Sequence, residues 1–382
     1  MKRAVHITGL GLATPLGATL EKTWQALLDS KYITDHARVS DLPDGPGLRI
    51  NRLSARVARE ALTESNWTTS QLSDTAIVVG SSKGPVDGWL AGTRAEGEYF
   101  FGMSEVAARL AVKFRTGGPI LTLSAACASG LHALIRAAML IQQGDADRAL
   151  VIGAESSLHP MFLQSFRRLG VLAPPEIGCR PFDEYRSGFL MSEAAAAICL
   201  EAADVHNSAA ERISIDRFAL GCDATHLVGA DPHGATLRRL LARAIDSRPI
   251  DLMHGHGTGT ISNDPIELAA IESALPTDPA GPKPHLYSHK GAIGHSLGAA
   301  GMVALVINCL ARRDQIVPPN VQTLSPLGAA GLQISRKTER RSIRRSAVIA
   351  SGFGGAAAAV SLISTAPLAS PEATPPTALR SP

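Results

Sequence analysis

The chain has 382 residues, 45% of them hydrophobic, with 37 basic and 34 acidic side chains for a formal charge of +3. That content supports one large domain or two fused ones, and so mild a charge bias excludes a protein built around nucleic acid. Basic clusters at Arg52, Arg56 and Arg59, at Arg167 and Arg168, and from Arg336 to Arg345 are read as solvated surface. No apolar run reaches the roughly 18 residues of a membrane span, and no secretory signal is expected. The five cysteines, Cys127, Cys179, Cys199, Cys222 and Cys309, are odd in number and lack CxxC spacing. A reduced, soluble, cytoplasmic protein is expected, with neither nucleic acid nor membrane as partner.

In chain order, "RAVHITGLG" from Arg3 reads as a buried strand and a Gly turn, and Leu20, Trp24, Leu27 and Leu28 have helical spacing. A helix over 52–67, a strand over 75–82, and a helix over 104–114 with Ser104 as N-cap follow. A strand over 119–126 runs into a helix from Ala128 to Gln143, and 148–156 is again a strand. The second half repeats the rhythm. Strands are expected at 212–221, 249–257, 284–290, 345–355 and 358–364, and helices at 234–245, at 264–275 (capped by Asn263 or Asp264) and from Leu297. This alternation implies α/β architecture.

"CASGLHALIRAAMLIQQGD" from Cys127 can be laid over "LGAAGMVALVINCLARRDQ" from Leu297, as expected of a duplicated unit. Two pseudo-equivalent halves, 1–205 and 206–365, are expected to meet near residue 205. The Pro-, Ala- and Ser-rich end, 366–382, is expected to be disordered.

Three stretches carry chemistry. In "LTLSAACASG" a strand gives way to a helix at Cys127, where peptide dipoles and free N–H groups favour a thiolate and an oxyanion. Small neighbours leave room for a substrate, and the competing reading is a small buried thiol. "HGHGTGTISNDPIE" places His254 and His256 at a strand's carboxyl end, where α/β folds keep their sites; a zinc pair would need a third ligand that the spacing does not supply. In "SHKGAIGHSLGAAG" Lys290 ends a strand and His295 follows in a Gly-rich turn. Taken singly, a solvent-facing Lys and a hydrogen-bonded His are the simpler readings.

Together the motifs "AACASG", "HGTGTxxxDxxE" from His256 to Glu267, "KGAIGHSLGAAG" and "GFGG" from Gly352 resemble the elongating, Cys-His-His branch of the β-ketoacyl-acyl-carrier-protein synthases in the thiolase-like superfamily. The openings "ITGLGLATPLG" and "RPFDEYRSGF" match as well, so the resemblance runs from about residue 3 to 364. It implies a five-layer αβαβα fold and a decarboxylative Claisen condensation. Cys127 would be the acylated nucleophile, with its own N–H and that of Phe353 as oxyanion hole and Phe353 as gate. His256 and His295 would bind the malonyl thioester carbonyl, Lys290 would order the site with Glu267 as its charge partner, and Thr258 and Thr260 would contact pantetheine. Further implications are an acyl carrier protein as partner, a homodimer or a heterodimer with a ketosynthase-like paralogue, and no metal or organic cofactor beyond the pantetheine arm that arrives with the substrate.

Departures from the family pattern lie at Ser351, Ala356 and Ala357 around "GFGG", at Ser187, Ser192 and Ala194 around the retained Glu193, and at Val228. The stretch Ser81–Ser104 is shorter than usual for the family. These changes favour a specialised fatty acid, polyketide or polyene synthase over a housekeeping enzyme. Of the alternatives, a non-condensing chain-length-factor-like subunit typically lacks the nucleophile, and a thiolase would carry a second catalytic cysteine in the late Gly-rich turn. An initiating synthase would not show the Lys290–His295 arrangement. A catalytically dead scaffold remains as the reading from a different class.

Overall fold

The computed structural model describes residues 3–42, 47–91, 102–205, 212–276 and 281–364. Its first half carries strands β1 (Val5–Ala13), β2 (Ala76–Gly80), β3 (Ile120–Leu123), β4 (Arg148–Glu155) and β5 (Ala194–Ala202). Among them run helices α1 (Leu20–Leu28), α2 (Arg49–Ser65), α3 (Thr69–Ser73), α4 (Val86–Ala91), α5 (Glu105–Phe114), α6 (Ser129–Gln143) and α7 (Pro160–Arg168). The second half carries β6 (Ile213–Cys222), α8 (Ala235–Ile245), β7 (Leu252–His254), α9 (Asn263–Ala274), β8 (His285–Tyr287), α10 (Lys290–Ile293) and α11 (Ala300–Asp314). A short pair, β9 (Ile316–Val317) with β10 (Glu339–Arg340), precedes β11 (Arg345–Ser351) and β12 (Ala356–Ser364).

The strand order is β3-β2-β4-β5-β1 in the first half and β8-β7-β11-β12-β6 in the second. Directions correspond too: β2 is parallel to β3 and β4 as β7 is to β8 and β11, while β5 and β12 run antiparallel to both their neighbours. The two half-sheets therefore share one topology, and they join edge to edge where Val5–Ile7 pairs with Ile213–Ile215.

Three apolar clusters define the layers. Residues of α2 and α5 pack on one face of the first half-sheet, and residues of α8 and α9 on one face of the second. Between the sheets lie α6 and α11, whose residues share the largest cluster with strands of both halves. The five-layer αβαβα arrangement is thus the observed one, and α6 and α11, the two segments that overlay in sequence, occupy equivalent inner positions. Being buried, α11 is apolar almost all round, from Ala300 to Ala311.

Differences from the sequence reading have physical causes. Strand β5, "AAAAICLEA", is buried at all nine positions, so no alternation marks it, and four successive alanines favour helix rather than strand in isolation. Helix α7 is also additional, started by Pro160 behind the His159 side chain. Ser104 ends a short 3₁₀ turn with helical backbone and makes no capping bond, and the N-cap of α9 is Ser262 rather than Asn263 or Asp264. Lys290 does not end a strand: β8 stops at Tyr287, and Lys290 opens the one-turn helix α10. Arg345, read as surface, is buried and bonds Asp216 and the Ala244 and Arg248 carbonyls. The segment 366–382 and part of Ser81–Ser104 lie outside the described residues.

Glycines let α2 settle on β1. A methyl group at Gly11 would lie 2.1 Å from the Val57 carbonyl oxygen, and one at Gly9 2.1 Å from that of Ala61. Both close approaches are to backbone, which cannot swing aside. Gly11→Val is therefore expected to destabilise the fold by at least about 1–3 kcal/mol, read as a lowered midpoint in denaturant titration.

Candidate active site

The turn from β3 into α6 is a sharp elbow. Ala126 is left-handed at φ +48, a conformation that costs an alanine about 1–2 kcal/mol, and Ser129 holds it there. The Ser129 hydroxyl accepts from the Ala125 amide (2.9 Å) and donates to the Ala126 carbonyl (2.6 Å). Cys127 then stands just ahead of the first turn of α6, 9% exposed. The expectation of a lowered thiol pKa is not met: burial pushes it up to about 11, against a downward pull from the Lys290 and Lys83 charges.

After β7 the chain turns through Gly257 (φ +39), where a methyl group would stand 2.7 Å from the Phe182 ring and 2.8 Å from Ser288 Cβ. Two carboxylates from the first turns of α9 grip this loop. Glu267 accepts from the His256 amide and from the Gly257 amide (2.8 Å), and Asp264 accepts from the amides of Thr258 (3.1 Å), Gly259 (3.0 Å) and Phe182 (2.7 Å). Burial and mutual repulsion raise the Glu267 pKa, and burial raises that of Asp264. The Thr258 and Thr260 hydroxyls share a 2.9 Å hydrogen bond.

Lys290 is fully buried, and its ammonium donates to the His256 carbonyl. It makes no direct pair with Glu267. The carboxylate is engaged by loop amides and acts on Lys290 through space, opposing the lowering that burial imposes on the ammonium. The His256 and His295 rings meet edge to face, 5.4 Å between centroids, and Phe189 packs edge to face on His295 at 4.9 Å. Burial and the Lys290 charge hold both imidazoles well below the usual histidine range, so they are neutral. His254 turns away from this pair: its ring nitrogens face Asn308 Oδ1 and His289 Nδ1, each at 2.9 Å, which leaves none for a metal shared with His256. Among the described residues no cluster of three or more His, Cys, Asp or Glu side chains is placed to hold a metal ion.

Cys127, His256, Thr258, Thr260, His295 and Phe353 line one cavity of about 120 Å³, while Lys290 and Glu267 stand behind its wall. Val228, Ser351 and Ala357 line it too. A methyl group at Gly352 would lie 2.8 Å from the Cys127 nitrogen, so the "GFGG" turn abuts the elbow. The amides of Gly352, Gly354 and Gly355 are taken by carbonyls of Ala356, Leu227 and Gly352. Among the described residues the amides of Cys127 and Phe353 bond to none. Phe166 and Phe189, which the sequence reading did not single out, line the cavity as well; Phe189 ends the "RPFDEYRSGF" stretch, whereas Phe166 sits in none of the quoted motifs.

A thiol from one half of a duplicated α/β scaffold, facing imidazoles from the other, is the arrangement of a thiolase-like condensing enzyme. More narrowly, the chain belongs to the β-ketoacyl synthase family. Residues 49–206 match the beta-ketoacyl synthase N-terminal domain and residues 213–323 the C-terminal domain. Similar proteins include 3-oxoacyl-[acyl-carrier-protein] synthase 2 of Rhizobium meliloti (strain 1021), 28% identical over 94% of this chain and 98% of that protein. The same enzyme of Coxiella burnetii is 28% identical over 92% of this chain and 96% of its own. In fold, the chain matches a type II polyketide ketosynthase solved with its acyl carrier protein (TM-score 0.82, 22% identity, 95% of this chain and 100% of that one). It also matches the ishigamide ketosynthase/chain length factor (TM-score 0.82, 22% identity, 95% and 99%).

The neutral imidazoles have a consequence for stability. A histidine whose folded pKa is depressed binds a proton more readily unfolded, so its contribution is present above about pH 6.5 and is lost as pH falls below it. His295→Asn removes one such group. It is expected to flatten the fall in unfolding free energy between pH 6.5 and 5 by up to about 1.4 kcal/mol per pH unit, measured by denaturation at several pH values.

Proposed function

We propose that this β-ketoacyl synthase extends an acyl thioester by decarboxylative Claisen condensation with malonyl-acyl carrier protein, using Cys127 as nucleophile. The observation that carries this reading is the convergence of one thiol, two neutral imidazoles and two unengaged amides on a single cavity.

In the first half-reaction the Cys127 sulfur attacks the acyl carbonyl. The thiol proton, held tightly by burial, passes through a neutral imidazole to the departing pantetheine sulfur. The amides of Cys127 and Phe353 hold the tetrahedral oxyanion. In the second, a malonyl thioester enters past Thr258 and Thr260, and its carbonyl oxygen accepts from His256 and His295. Loss of carbon dioxide leaves the bonding pair on an enolate that these two N–H donors stabilise. The carbanion attacks the Cys127 thioester, the tetrahedral oxyanion forms again, and collapse expels the sulfur as a thiolate, which takes a proton drawn from solvent.

Lys290 touches neither partner in this scheme. Its charge adds to burial in keeping both imidazoles unprotonated, and its bond to the His256 carbonyl, with Glu267 on the His256 amide, positions that ring. The pantetheine arm arrives with the substrate and the chemistry needs no resident cofactor. The carrier protein is the docking partner, and a second ketosynthase-like chain, identical or paralogous, completes a dimer. Relatives named as acyl-carrier-protein synthases support this reading.

Intact-protein mass spectrometry with acyl carrier protein thioesters, followed by malonyl carrier protein, tests it. Wild type is expected to gain the acyl mass and then release an elongated product. Cys127→Ala gains nothing, while His256→Ala still acylates but elongates about 100-fold more slowly or worse. Absence of any wild-type adduct, alone and with co-purifying partners, would instead indicate the non-condensing, chain-length-factor-like role.

A further inference from the structure

Lys83 lies in the loop after β2, and three contacts lock that loop to the two turns that frame the cavity. Ser82 donates to Glu155 through both its amide (2.8 Å) and its hydroxyl (2.6 Å), and Glu155 also accepts from the Gly298 amide (3.2 Å), three residues beyond His295. The Ser124 hydroxyl, three residues before Cys127, donates to the Ser82 carbonyl (3.3 Å). A methyl group at Gly298 would lie 2.3 Å from the Ser82 nitrogen, so no slack separates the loop from the His295 turn.

From this fixed base the Lys83 ammonium reaches over two aromatic rings, 5.1 Å from the centre of Phe162 and 5.9 Å from that of Phe166. Phe166 lines the cavity, packs 6.2 Å from the Phe353 ring, and belongs with Phe162 to the apolar cluster around Cys127. Among the described residues no carboxylate pairs with Lys83. The Cys127 thiol feels its charge.

A cation held against aromatic faces has lost part of its hydration, and among the described residues it has ring quadrupoles rather than a carboxylate in return. A plain alkyl chain laid against it would strip more water and offer nothing, whereas a carboxylate would make a charge-assisted hydrogen bond. We propose that Lys83 is a specificity-determining residue whose ammonium receives a carboxylate carried on the acyl chain that becomes attached to Cys127. This rests on the acyl-transfer reading of Cys127. It selects acyl chains with an anionic distal group over plain alkyl chains of equal length.

Two measurements on the full chain test it. In the first, alkylation of Cys127 by iodoacetate and by iodoacetamide is followed by peptide mass spectrometry, which separates it from the exposed Cys222. Each reaction forms an S–C bond, expels iodide and releases the thiol proton to solvent, so any general change in thiol reactivity cancels in the ratio. The iodoacetate-to-iodoacetamide ratio is expected to fall about fivefold or more in Lys83→Met and to be kept in Lys83→Arg. In the second, acylation by a straight-chain acyl carrier protein thioester is compared with its ω-carboxylate counterpart of the same length. Wild type and Lys83→Arg should favour the ω-carboxylate chain, and Lys83→Met the plain one. An unchanged alkylation ratio in Lys83→Met, or a wild-type preference for the plain chain, overturns the proposal. If neither thioester acylates Cys127 while the alkylation ratio still depends on Lys83, the acyl-transfer reading itself fails, and the acyl preference with it.

Discussion

A buried ammonium bears on most of the titratable groups around this cavity. Lys290 is 2% exposed, and an uncompensated charge at that depth costs several kcal/mol. Compensation comes from the His256 carbonyl and, through space, from Glu267. The same charge then acts outward. It disfavours protonation of His254, His256, His289 and His295, and it draws the Cys127 thiol down against the opposing effect of burial. A neutral imidazole keeps one N–H for donation and one nitrogen free to take up a proton, and burial, aided by the Lys290 charge, holds His256 and His295 in that form.

Such mutual influence requires short distances, and small residues make them possible. Gly352 abuts the Cys127 amide, Gly298 abuts the Ser82 amide, and Gly257 packs on Phe182 and Ser288. The inner helices follow the same rule: a methyl group at Gly130 would lie 2.7 Å from the Met302 side chain, and one at Gly301 2.8 Å from that of Leu131. Duplication explains the convergence. Each half delivers its loops to the same region, so the thiol arrives from the first half and the imidazoles and Phe353 from the second.

The departures around "GFGG" are absorbed by backbone. Ala356 and Ala357 begin β12 and pair with Cys222 and Gly221, and Gly354 and Gly355 bond Leu227 and Asp223. Gly355, at φ +81, comes so near the Asp223 carbonyl that no side chain fits. The turn is therefore anchored to the 223–227 segment by main-chain hydrogen bonds.

Much of this was readable from the chain itself. Periodicity and punctuation marked the long amphipathic helices α2 and α8 and the motif-bearing turns, because a side chain's face and a glycine's freedom are local properties. The overlay of α6 on α11 announced the duplication for the same reason. Beyond that reach lay β5, whose nine positions are buried on both faces and so carry no alternation, and Arg345, whose partner Asp216 is 129 residues away. The sequence brought Cys127, His256, Lys290 and His295 to attention by motif. Only the tertiary structure decided that the thiol is raised rather than lowered, that Glu267 serves the His256 amide, and that Lys83 comes within electrostatic reach of Cys127. Burial and through-space charge depend on what surrounds a group, and those surroundings are assembled from segments far apart in the chain.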